Sequence, residues 1–111
     1  MKKINILKNN YEYTSIIKSS KPIKYKYFII YLKNEPTDYY KFGISIGKKI
    51  GNAVIRNKIK RQLKNIIDKK DYQNNFKCII IVSKDILKYN FTQIENDLLN
   101  AFSKIKIIKG E

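Results

Sequence analysis

The chain has 111 residues, a length that one domain fills (1–111) and that can bury a modest core without disulfide or metal staples. It carries 24 basic and nine acidic residues, a net charge of +15, with 43% hydrophobic residues. That balance argues against a wholly disordered chain and asks for an anionic partner, nucleic acid first and an anionic membrane surface second.

The opening segment, Met1 to Lys8, reads as a short basic tail, and its apolar run is too short for a signal peptide. YEYTSIIKS (11–19) predicts a short helix with Tyr13, Ile16 and Ile17 on one face. SSKP then breaks it, because the residue before Pro22 disfavours helical backbone. KYKYFIIYL (24–32) is aromatic and β-branched and predicts one strand. Alternation puts Phe28, Ile30 and Leu32 on one face and Tyr25, Tyr27, Ile29 and Tyr31 on the other. After the turn NEPTD, YKFGISI (40–46) predicts a second strand, paired antiparallel with the first through that short connection. Its small residues, Gly43 and Ser45, share a face and leave room for a groove.

GKKIGNA (47–53) is a loop, and Asn52 is a suitable N-cap for a helix over 53–69. Ile55, Ile59, Leu63, Ile66 and Ile67 form its apolar stripe. FKCIIIV (76–82) is a continuous apolar run and predicts a buried strand, so the strand–helix–strand order suggests a β-α-β unit with a parallel pair. The last helix is placed over 92–106, with Thr92 and Glu95 at capping-box spacing and Ile94, Leu98, Leu99, Phe102 and Ile105 buried. A short tail follows from about Lys109. The class is α+β, one sheet of about four strands against helices.

The middle helix carries the only two arginines, Arg56 and Arg61. Arg56, Lys60 and Lys64 form one row at i, i+4 and i+8. Asn57 and Arg61 form a second row beside it, and both rows lie away from the apolar stripe. Arginine offers a planar fork that grips phosphate or stacks on a base, which lysine does not. Lys48, Lys49, Asn52 and Lys58 add donors around the helix start. On the other side of the reading, Tyr13, Ile17, Ile29, Tyr31, Gly43 and Ser45 assemble a groove suited to an extended single strand, its aromatic rings acting as stacking platforms. For both sets the bland alternative is a solvated helix face and ordinary core tyrosines.

Side-chain catalysis has little to work with. There is no histidine, and the lone Cys78 sits in an apolar run without a partner. Asp68 with Asp71 and Glu95 with Asp97 lie at helix ends, where carboxylates are common. No Walker-type loop or zinc spacing is present, so no catalytic and no metal residue is assigned. A single cysteine fits a reducing compartment, and the cytoplasm is the expected location.

The run KFGISIGKKIGNAVIRNKIKRQLKNII (41–67) strongly resembles the protein component of bacterial ribonuclease P, in its Gly43-Ile44-Ser45-Ile46 core, Lys48-Lys49 and the stretch Gly51 to Arg61. A weaker likeness extends over roughly residues 7 to 102. The resemblance implies a ribozyme cofactor. The RNA subunit hydrolyses precursor tRNA with Mg²⁺, and the protein, monomeric by itself, binds that RNA and the 5′ leader. It places Arg56, Asn57, Lys58, Lys60 and Arg61 on the RNA-binding motif and Tyr13, Ile17, Ile29 and Tyr31 in the leader groove. It also implies a left-handed β-α-β crossover, against the general rule. Lys58, Gly47, Ile17 and the Lys64-Asn65 pair depart from the family pattern: Arg, Ser, an aromatic residue and Arg-Glu are the usual occupants. A structural RNA-binding protein of the ribosome fits the charge and tyrosines equally well, and only the 43–61 motif speaks against it. A protein-only nuclease is the third reading.

Overall fold

FKCIIIV becomes the strand that organises the sheet. In the computed structural model, which describes residues 1–111, the elements run α1 (Asn10–Ser19), β1 (Ile23–Tyr25), β2 (Phe28–Asn34), β3 (Tyr40–Ile46), α2 (Ala53–Ile67), β4 (Phe76–Val82) and α3 (Phe91–Lys104). The sheet order is β1-β2-β4-β3. β4 pairs antiparallel with β2 and parallel with β3. The β3-α2-β4 unit and its parallel pair are therefore as expected, and so is the α+β class.

The expected antiparallel pairing of 40–46 with the preceding strand does not form. β4 lies between them, because a run apolar on both faces is buried best at a sheet centre. Asn75 holds the parted strands at their ends: it accepts from the Glu35 N–H at 2.9 Å and donates its own N–H to Tyr39 O at 3.1 Å. It does so with φ at 73°, in the left-handed region that Asn tolerates.

The single strand expected over 24–32 is a hairpin. The chain reverses at Lys26 (φ 53°), and β1 pairs back on β2 with Ile23 opposite Ile30 and Tyr25 opposite Phe28. This reversal takes Tyr27 out of strand alternation. It is buried rather than facing the groove, and its hydroxyl donates to Asp97 Oδ2 of α3 at 2.6 Å.

The N-terminal segment is no free tail. Leu7 N–H donates to Phe42 O at 2.9 Å, and Asn5 Nδ2 donates to Tyr40 O at 2.7 Å. This segment covers the otherwise open edge of β3. At the other end, Ile108 bridges Tyr72 and Lys109 N–H donates to Asp71 O, so the last residues are also tied down.

α2 and α3 cover one sheet face, burying Phe28, Ile30, Phe42, Cys78 and Ile80 against Leu63, Ile66, Leu98 and Phe102. Ile55, expected in the α2 stripe, stays exposed in the first turn. α3 is capped by Asn90 and Gln93, which form a reciprocal capping box, rather than by Thr92 and Glu95. α1 lies alone on the opposite face, where Leu7, Ile16 and Ile79 are buried together.

Candidate nucleic-acid interface

Strand register sets what the α1 face displays. Three residues wide, it carries the rows Lys33–Lys77–Lys41, Tyr31–Ile79–Gly43 and Ile29–Ile81–Ser45 across β2, β4 and β3. Ile29, Tyr31, Gly43 and Ser45 thus share a face as expected. They do not form a contiguous floor, because Ile79 and Ile81 of β4 lie between the pairs. No sequence signal marks those two isoleucines as groove residues, since their run is apolar throughout.

α1 is positioned by its N-cap and by one glycine. Asn9 Oδ1 accepts from the Tyr11 N–H at 2.8 Å. Tyr13 then reaches over Gly43: a Cβ at residue 43 would stand 2.6 Å from the Tyr13 hydroxyl. Burial pushes the Tyr13 phenol above its ordinary value, so the ring stays neutral at physiological pH. Ile17 stands on the rim, 36% exposed, and Tyr31 packs half-buried against the Leu7–Ile16–Ile79 cluster.

α2 supplies the facing wall. Asn52 caps it, accepting from the Ile55 N–H at 3.0 Å, so this side chain is engaged in holding the helix start. Lys48 and Lys49 lie exposed in the single 3-10 turn before it, anchored by buried Ile50. The row Arg56–Lys60–Lys64 was expected on the face away from the core. It instead borders the apolar stripe on the sheet side, and Arg56 is half-buried. The Arg56 Nε is enclosed and has no protein acceptor. Arg61 is exposed, whereas Lys58 turns to the other flank of α2, beside Ile55, Leu87 and Tyr89.

A cleft of about 710 Å³ brings together part of each predicted set, while Ile29, Tyr31 and Gly43 of the one and Lys48, Lys49, Asn52, Lys58, Arg61 and Lys64 of the other do not line it. Tyr13, Ile17 and Ser45 line one side, and Arg56, Asn57 and Lys60 line the other. The N-terminal segment contributes Ile6, Leu7 and Lys8, which sequence reasoning missed because it treated that segment as a tail. No carboxylate lines the cleft, and none of the chain's ion pairs uses a side chain of α2. Six of the nine acidic residues form ion pairs elsewhere, among them Glu12 and Glu35 with Lys77, Asp97 with Lys26, and Glu95 with Lys69. The cationic wall therefore keeps its charge free for an external anion. Its donor set of hydroxyl, amide, guanidinium and ammonium groups does not fit a hard divalent cation, which needs anionic oxygen ligands.

Comparison with known proteins places this arrangement. Residues 1–106 match the family model described as Ribonuclease P. The chain is 40% identical over 109 residues to the ribonuclease P protein component of Mycoplasma mycoides subsp. mycoides, covering 96% of this chain and 100% of the relative. It is 32% identical to that of Bacillus mycoides, covering 94% and 93%. Among solved structures, the Staphylococcus aureus RNase P protein superposes with a TM-score of 0.85 at 29% identity, covering 95% of this chain and 98% of that one. The Thermotoga maritima RNase P protein does so at 0.80 and 25%, covering 88% and 94%.

Proposed function

Because the chain belongs to the ribonuclease P protein family, we propose that it serves as the protein subunit of that ribonucleoprotein in tRNA 5′-end maturation, holding the catalytic RNA and the 5′ leader of precursor tRNA. The observation that carries this reading is the single cleft in which Tyr13, Ile17 and Ser45 face Arg56, Asn57 and Lys60 without one carboxylate. An extended strand fits it with phosphates against the α2 wall and bases toward Tyr13 and Ile17. Arg56 offers the terminal N–H groups of its guanidinium to a phosphate oxygen, and Asn57 offers a donor and an acceptor to a sugar or base edge. Lys48, Lys49, Arg61 and Lys64 extend the positive surface along the helix, where the catalytic RNA docks.

Bond cleavage falls to the RNA. The Cys78 thiol is fully buried and its pKa is driven up by that burial, so it is no nucleophile. The Mg²⁺ that hydrolysis requires is not assigned to this chain, whose cleft offers no anionic oxygen to hold it. What the protein supplies is charge neutralisation, which lowers the cation concentration the folded RNA needs. The chain acts in the cytoplasm and is monomeric before it meets RNA.

The test is multiple-turnover cleavage of precursor tRNA by the cognate RNA over a Mg²⁺ series. Added protein is expected to shift the requirement down to a few millimolar or less. An unchanged Mg²⁺ requirement would defeat the reading. Cleavage that survives complete removal of RNA would defeat the assignment of chemistry to the RNA.

A further inference from the structure

The edge of the sheet farthest from β3 carries a second basic site that the cleft does not use. Ile23 and Tyr25 of β1 lie opposite Ile30 and Phe28, so their side chains share the α3 face of the sheet, the reverse of the α1 face. Together with α3 they enclose a depression of about 370 Å³ whose lining includes Ile23, Lys24, Tyr25, Ala101 and Lys104. Two ammonium groups converge on one ring. Lys104 Nζ lies 4.8 Å from the Tyr25 centroid and Lys26 Nζ lies 5.9 Å from it.

The two lysines differ in what they leave available. Lys26 is committed to Asp97, donating to Oδ1 at 2.8 Å. Lys104 has no carboxylate partner, whereas Lys24, opposite Ile29, belongs to the reverse face of the sheet. A cation held over an aromatic face is positioned without being neutralised. Lys104 is therefore placed with no carboxylate against it, beside an apolar hollow lined by exposed Ile23. A positioned, unpaired cation beside an apolar hollow suits a nucleotide, with phosphate on the ammonium groups and base or ribose on the hydrocarbon.

We propose that the β1–α3 edge is a second RNA contact, in which Lys104 takes a phosphate and Ile23 and Tyr25 take the adjoining base, on the opposite side of the sheet from the cleft. The inference rests on the RNA-binding reading given above and extends it. One chain then touches two separate RNA segments at once, and each contact raises the effective concentration of the other.

Cys78 is the only cysteine and is wholly buried, so a single introduced cysteine can carry a photo-crosslinker. Ile23→Cys and Arg56→Cys are each coupled to an azidophenacyl group and irradiated in the complex with cognate ribonuclease P RNA and precursor tRNA. Crosslinks from both positions, to different RNA segments, are expected. Crosslinks from residue 56 alone would overturn the second contact and leave the cleft reading intact. Crosslinks from neither would remove both.

Salt dependence supplies the second arm. Lys104→Ala should flatten the log Kd versus log salt slope by roughly 0.7, the value of one phosphate contact on a single strand. Between 50 and 200 mM salt, wild type should therefore lose about 2.6-fold more affinity than this variant. An equal flattening by the exposed Lys70→Ala would reduce the patch to general charge and overturn the proposal. So would loss of binding to phosphatidylglycerol vesicles with RNA binding unchanged, which would assign the edge to a lipid surface.

Discussion

Gly43 lies directly under the ring of Tyr13, with room for a hydrogen and none for a methyl group: a Cβ would approach the phenol carbon and oxygen atoms to 2.6–2.8 Å. The glycine of the GISI motif is therefore a seat for an aromatic side chain from α1. Gly43→Ala should lift the Tyr13 ring off β3 and weaken binding of leader-bearing tRNA by about fivefold or more, within the 1–3 kcal/mol of one base–aromatic contact. Stability should change by less than about 1 kcal/mol, since the displaced atoms are the tip of a side chain. A double-mutant cycle checks the mechanism. In a Tyr13→Ala background, Gly43→Ala should have no further effect on leader affinity, and additive losses would show that the two residues act separately.

Arg56 and Arg61 should respond differently to the same substitution. Arg61 is exposed and acts as one charge, so Arg61→Ala should reduce the salt slope of RNA binding by roughly 0.7–0.9. Arg56 is half-buried with Nε enclosed and without a protein acceptor. Its bidentate geometry matters as well as its charge. Arg56→Lys should thus keep the salt slope yet lose about tenfold in affinity. Wild-type affinity for Arg56→Lys would mean that the fork is not used.

Asp97 links a second region to pH. Burial alone would raise its pKa, but hydrogen bonds from Lys26 and Tyr27 outweigh that and hold the carboxyl below its ordinary value of 3.8. A carboxyl depressed in the folded state stabilises above its unfolded pKa, and the contribution is lost as pH falls through the folded one. Asp97→Asn keeps an acceptor for Tyr27 and loses the charge. It should lower stability by about 1–2 kcal/mol at pH 7, with the gap to wild type closing as pH drops below about 4. Urea unfolding at pH 7 and pH 3 measures both, and a gap of constant size would dismiss the charge as the cause.

What could be read from the sequence follows the range of the interactions involved. α1, α2 and the apolar stripe of α3 were legible because helix periodicity and caps such as Asn52 are local. The parallel β3–β4 pair followed from strand–helix–strand order. The insertion of β4 between β2 and β3 was not legible: Asn75 meets Glu35 and Tyr39 only across the fold, and a short connection looks like a hairpin until a better central strand arrives. The same gap hid Ile79 and Ile81 in the groove face. Tyr27 was misplaced because one positive-φ lysine, an unusual residue for that conformation, turned a strand into a hairpin. The basic wall was legible as a helix face, but its junction with Tyr13 and Ile17 in one cleft was not, since it depends on how α1 lies on the sheet.

Ile17 offers a gain-of-function test of the cleft. It sits on the rim one turn beyond Tyr13, 36% exposed, and lines the same cleft as Arg56 and Lys60. An aliphatic side chain there offers a base only dispersion and some apolar burial, whereas an aromatic ring offers a matching π face. The position is half open, so a larger ring need not compress the Leu7–Ile16–Ile79 cluster beneath. Ile17→Phe should therefore tighten binding of precursor tRNA by about fivefold or more, and leave mature tRNA, which has no leader, unchanged. Equal tightening of both would mean that the ring adds general stickiness outside the leader path. No change in either would place the leader away from the α1 rim, against the β2 side of the face where Ile29 and Tyr31 lie.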